Sequence, residues 1–174
     1  MRALPQQPLV CPAGLIFSST MNIGFMEELA LLVRLLAAAS LAAALGWERE
    51  RARKSAGLRT HMLVGVASAL YTVLGELAVL SYPGSESGLR SDPVRVIQAV
   101  AIGVGFLGSG VIFVSKSGES VRGLTTAASI WATAATGIAV GLGHYVLAVG
   151  ATVLLLWVLR GMARFDVGED GVTG

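Results

Sequence analysis

Charge is scarce in this chain. Only 14% of its residues are Asp, Glu, Lys or Arg, against about 25% in soluble domains. The chain has 174 residues, 54% of them hydrophobic, and a mean hydropathy of +0.71. A water-soluble fold of this size leaves much of its surface exposed and has no room to hide so much apolar area. Lipid is the solvent that fits. Cysteine is nearly absent too. Cys11 stands alone, which excludes an internal disulfide framework and any cysteine-cluster metal site. Catalytic signatures are also missing: there is no G-x-x-x-x-G-K-[ST], no H-E-x-x-H and no G-x-S-x-G. ATPase or protease chemistry has no residues to carry it, so the chain is expected not to be an enzyme. The net charge of +2 and pI of 9.0 suit basic cytoplasmic loops rather than a nucleic-acid partner.

What the chain does have is long apolar runs. A spanning helix needs roughly 20 mostly apolar residues. Five runs qualify: Glu28–Gly46, His61–Leu80, Val94–Val114, Leu124–Leu142 and Tyr145–Arg160. The expected fold is therefore all-α, a polytopic membrane helix bundle of about five transmembrane helices. It divides into an N-terminal extension over 1–26, a transmembrane domain over 27–162 and a short polar tail over 163–174. The extension reads as a poor signal peptide or as sequence upstream of a true start at Met21 or Met26. Gly141-Leu-Gly-His144 is too short a connection for anything but antiparallel neighbours in spans four and five.

Loop charges orient the bundle. Arg49, Arg51, Arg53, Lys54, Arg59, Lys116, Arg122, Arg160 and Arg164 fall on one side, and only Arg2, Arg90 and Arg95 on the other. The N-terminus is expected outside and the C-terminus in the cytoplasm. His61 and His144 then lie on opposite sides and cannot share a metal.

The densest motif is Gly103-Val-Gly-Phe-Leu-Gly-Ser-Gly110. Gly103, Gly105 and Gly108 match a dinucleotide-binding G-x-G-x-x-G. That reading needs a full helix after the glycines and an acidic residue about 20 positions on, and both are missing. As a helix, the run puts Gly103 and Gly110 within about 20° of each other and Gly105 and Gly108 on the other side. It then offers two flat faces for close helix packing, which would place span three at the centre of the bundle. The alternative is a local unwinding that exposes carbonyls to a cavity. Span four carries Thr125, Ser129, Thr133, Gly137 and Gly141 every four residues, flanked by Thr126 and Thr136. This stripe is either a packing face or the wall of a polar path, and spans three and four read as a tightly packed pair.

Ionisable residues at membrane depth are costly and usually paired. Arg34 in span one and Glu76 near the end of span two fall on the same side, so a pair is available, and Asp92, Arg95 and Gln98 could join it. Headgroup-level placement of Glu76 is the plainer alternative. Glu28, Glu76 and Asp92 could in principle hold Mg²⁺, although no spacing compels it and no resident cofactor is expected. Trp47 fits an interfacial anchor. The arginines after it suit the helix C-terminus and anionic lipid. Thr60 is a candidate N-cap for span two.

Five motifs occur in order: Gly46-Trp-Glu-Arg-Glu50, Ala56-Gly-Leu-Arg-Thr60, Asp92-Pro-Val-Arg95 with Gln98, Gly103–Gly110, and Arg122-Gly-Leu-Thr-Thr-Ala-Ala128. Together they resemble the MgtC/SapB family of bacterial membrane proteins, from about Leu29 to Arg160. Val104 and Ser109 depart from the commoner Ile and Ala. The resemblance marks Glu48, Arg59, Thr60, Arg122, Gly123, Thr125 and Thr126 as further candidate functional or packing residues. It implies a multi-pass protein of the bacterial cytoplasmic membrane, linked to growth in low magnesium and, in some relatives, to survival inside host cells. The implied mode of action is restraint of the proton-translocating ATP synthase rather than magnesium pumping. Implied partners are the bilayer and another membrane complex, or a second copy. Two other classes stay open: a cation or small-solute transporter with a polar path lined by spans three and four, and a structural membrane subunit.

Overall fold

The computed structural model describes residues 24–81, 93–114 and 121–161. Among these, five helices follow one another: α1 (Phe25–Arg51), α2 (Leu58–Ser81), α3 (Pro93–Ser109), α4 (Leu124–Gly141) and α5 (Tyr145–Gly161). Between α3 and α4 lies a two-residue hairpin, β1 (Phe113–Val114) and β2 (Val121–Arg122), with Phe113 opposite Arg122. Helices α1, α2 and α4 are long and apolar enough to cross a bilayer, while the apolar stretches Val94–Ser109 and Tyr145–Gly161 are shorter. The expected N-terminal extension up to residue 23 and the polar tail lie outside the described residues, as does Asp92.

The helix ends follow local chemistry. Glu27 and Glu28 sit in the first turn of α1 and Arg49 and Arg51 in its last, each sign matching the helix dipole. The helix therefore runs on through the Trp47–Glu50 motif. α2 begins at Leu58, two residues before the expected cap. Its first free N–H, on Leu58, donates to the Glu50 carboxylate of α1 at 2.8 Å. Thr60 is thus inside the helix and exposed, and the cap comes from a neighbouring helix. Span three was expected to reach Val114, but α3 stops at Ser109. Gly108, Ser109 and Gly110 are poor helix formers, and tighter turns close there, from Val111 N–H to Gly108 O and Ile112 N–H to Ser109 O. The next two apolar residues enter the hairpin instead.

Successive helices alternate in direction. Arg34 near the start of α1 meets Glu76 near the end of α2. Gly108 at the end of α3 faces Ala127 at the start of α4. α2 and α4 run parallel: His61 meets Ser129, Gly65 meets Gly137, and Thr72 meets Gly141. α4, not α3, is the centre. Nine of its 18 residues are buried, whereas Ile102 and Phe106 of α3 are 75% and 80% exposed.

The packing is made of small residues. A Cβ on Gly65 would lie 2.6 Å from that of Ala42, and one on Gly141 would lie 2.7 Å from that of Thr72. One on Gly46 would lie 2.8 Å from the Leu58 backbone, and one on Gly137 would strike the Gly65 carbonyl. Close backbone approach of this kind is how helices associate in lipid. Two small cores result, one of Val64, Val100, Val104, Ile130 and Ala134 with Ala56, the other of Ala38, Ala69, Val140 and Ala148. Large apolar side chains point outward instead, among them Leu36, Leu63, Val146, Leu154 and Trp157. Inside small and polar, outside large and apolar, is the arrangement of a bundle solvated by lipid.

Candidate functional site

Two polar clusters lie at opposite ends of the bundle. The first is built where α1 hands over to α2. Glu48 and Arg49 are both buried, and the Arg49 Nε donates to the Glu48 carboxylate at 2.6 Å. Arg49 is therefore not a lipid-facing anchor like its neighbours in the basic run. His61, on the first turns of α2, is fully buried. Its Nδ1 lies 2.9 Å from the Gly57 carbonyl and its Nε2 lies 3.2 Å from the Ser129 hydroxyl of α4. A carbonyl only accepts, so Nδ1 carries a proton. In the neutral ring Nε2 must then accept from Ser129. That hydroxyl also lies 2.8 Å from the Thr126 carbonyl, so one proton is shared between two acceptors. The ring ties α2 to α4 at the same depth as the buried ion pair.

The second cluster closes the other end. Arg34 Nη1 donates to Glu76 at 3.0 Å and to the Gly141 carbonyl at 3.1 Å. The expected pair therefore forms. Its guanidinium also meets a free carbonyl at the C-terminus of α4, where positive charge is favoured. One side chain joins α1, α2 and α4. Arg95 and Gln98 are exposed on α3, and no hydrogen bond joins either to Arg34 or Glu76 among the described residues. Nor do any three His, Cys, Asp or Glu among the described residues lie close enough to hold a metal ion.

Between the clusters runs a line of hydroxyls. Ser129, Thr133 and Thr136 each donate to a carbonyl of their own helix, at 2.8, 2.8 and 3.1 Å. Thr72 does the same on α2, to Ser68 at 2.8 Å. Every buried side-chain nitrogen or oxygen among the described residues has a partner. The stripe on α4 thus packs against α2, while the expected contact of spans three and four forms elsewhere, where Gly108 meets Ala127 and Val100 and Val104 share a core with Ile130 and Ala134. Thr125 is exposed and Thr126 buried.

The glycine run of α3 divides. Gly108 contacts Ala127 of α4, but nothing lies within 4 Å of where a Cβ on Gly103 or Gly105 would sit. A segment packed on both sides is therefore corrected to one packed on one side, because no helix among the described residues covers the other. Gly110 has left the helix. Gly123 turns the chain into α4 at φ +92°, and a Cβ there would strike the Val111 carbonyl. Arg122 and Arg59 are exposed. Sequence reasoning missed Arg49, His61 and the packing glycines Gly46 and Gly65. The signal was available in one place: His61 follows Ala56–Thr60 and opens an apolar run that continues from Met62 to Val66.

Comparison with known proteins gives a consistent family. The model of the MgtC family matches residues 35–167. YhiD of Escherichia coli K12, whose name proposes magnesium transport, is 44% identical over 132 residues, covering 74% of this chain and 59% of that protein. Protein SrpB of Synechococcus elongatus is 38% identical over 156 residues, 84% of each. Protein MgtC of Salmonella typhimurium is 38% identical over 135 residues, 75% of this chain and 53% of that protein. The chain thus spans a little over half the length of YhiD and MgtC. No solved structure matches it.

Proposed function

The chain belongs to the MgtC family, and from that premise we propose that it is a non-enzymatic regulatory protein of the bacterial cytoplasmic membrane. It serves growth in low magnesium and membrane energy balance by lateral contact with another membrane complex, with the proton-translocating ATP synthase as the candidate. A virulence role is part of the proposal only for a host-associated source. The observation that carries contact over catalysis or conduction is the uncovered face of α3. Gln98, Ile102, Gly105 and Ser109 recur there at helical spacing and are all exposed, with Phe106 beside them. Gly105 and Ser109, four apart, form a small-xxx-small pair with open space above Gly105. Such pairs let a second helix approach closely in lipid.

The test is co-purification from native membranes in mild detergent. Wild type should return a specific complex, and Gly105→Leu should lose it while keeping wild-type thermal stability. A deletion strain should grow more slowly as magnesium falls, with an altered membrane potential. Recovery of the lone protein, with no magnesium-dependent phenotype, refutes the reading. A cation transporter is the second reading. It is favoured by the hydroxyl line between α2 and α4 and the Arg34–Glu76 pair at its end, and Mg²⁺ flux into liposomes above the empty-vesicle rate would support it.

A further inference from the structure

A groove of about 880 Å³ runs between α2 and α3, inside the range of roughly 300–1,000 Å³ typical of small-ligand sites. It is lined by apolar residues almost throughout, and among the described residues Arg95 is the only charged one lining it. At the Arg95 end the two helices touch: a Cβ on Gly75 would lie 2.8 Å from Val96. Farther along, Gly103 forms part of the wall with nothing within 4 Å of its missing Cβ. From Arg95 to Leu107 the groove follows α3 for about 18 Å at 1.5 Å per residue. One leaflet of a bilayer is about 15 Å deep in hydrocarbon, half of roughly 30 Å.

The groove is therefore an apolar slot one leaflet long with a cation at one end. It opens on the flank of a bundle whose surroundings are lipid. Glu76, one residue beyond Gly75, has its carboxylate on Arg34, and among the described residues Arg95 has no carboxylate partner. A guanidinium recognises phosphate oxygens by paired, charge-assisted hydrogen bonds.

We propose that the α2/α3 groove binds an anionic phospholipid, with its phosphate on Arg95 and one acyl chain along Tyr71, Ala99 and Gly103. This face of α3 is separate from the Ile102–Gly105–Ser109 face, so the site stands independently of the docking role above.

The test uses the full chain purified in detergent, with phosphatidylglycerol or phosphatidylcholine of matched chains added. Native mass spectrometry counts bound lipid, and thermal unfolding reports stabilisation. Wild type should retain phosphatidylglycerol preferentially. Arg95→Gln should reduce that preference roughly tenfold, as expected for loss of a charged hydrogen bond, and Arg95→Lys should keep most of it. Gly103→Leu, which fills the wall at an open position, should lower retention of both lipids. Equal retention of the two lipids by wild type overturns the proposal, as does an Arg95→Gln variant that keeps the preference. So does a groove closed by a second copy, seen as cross-linking between Ala67→Cys and Ala99→Cys variants.

Discussion

At Gly123 the backbone has φ +92° and a side chain would meet the Val111 carbonyl. Any L-residue there is strained twice, by conformation and by contact. Gly123→Ala should cost at least about 1–3 kcal/mol, the usual cost of such a backbone position, seen as a lower midpoint for thermal unfolding in detergent. Arg34 and Glu76 make a different kind of prediction. Interhelical hydrogen bonds in membrane proteins are worth about 0.6 kcal/mol on average and up to about 1.7. A double-mutant cycle with Arg34→Ala and Glu76→Ala should return a coupling in that range, and a coupling of zero would mean the ion pair does not hold α1 to α2. This pair was legible in the sequence because two isolated charges at one depth have few other partners. Arg49 and His61 were not. A basic run at a helix end looks like a solvated or lipid-facing surface, and only the turn over residues 52–57, which brings α2 back along α1, buries one arginine of the run.

At the scale of elements, glycine content alone does not say which glycines pack. Gly137 abuts the Gly65 backbone, whereas Gly103 faces open space. Gly137→Ala should force α2 and α4 apart and destabilise by about 1–3 kcal/mol, as overpacking does. Gly103→Ala should be neutral or stabilising by up to about 1 kcal/mol, since alanine is the better helix former. Equal effects on the unfolding midpoint would contradict this division of the helices. The denser cluster, Gly103–Gly110, points toward α3, yet the sparser spacing Ser129–Thr133–Gly137–Gly141 marks the contact actually made. Periodicity shows that a face exists but does not identify the helix opposite it. The hairpin was invisible for a related reason. Two ladder residues per strand make no period, and their apolar Phe113-Val114 simply extends the run of span three.

Across the described residues of the whole molecule five helices alternate, which sends the α1–α2 turn and the β1–β2 hairpin to one end and the Gly143 turn to the other. Arg51, Arg53, Lys54 and Arg122 gather at the first end, and none of the described residues of the Gly143 turn is Lys or Arg. Cytoplasmic loops carry the excess of Lys and Arg, so the hairpin end should be cytoplasmic and His144 should face outward. Arg53 and His144 are both exposed and outside the packed core, so a cysteine at either should not disturb the fold. In a Cys11→Ser background, His144→Cys should react with a membrane-impermeant maleimide added to intact spheroplasts. Arg53→Cys should react only after the membrane is permeabilised. The opposite pattern inverts the bundle, moving the Arg34–Glu76 end and the Arg95 end of the lipid groove to the cytoplasmic leaflet. Labelling of both positions from outside would break the alternation itself, which would require one of the three helices between them, α2, α3 or α4, to enter the bilayer without crossing it.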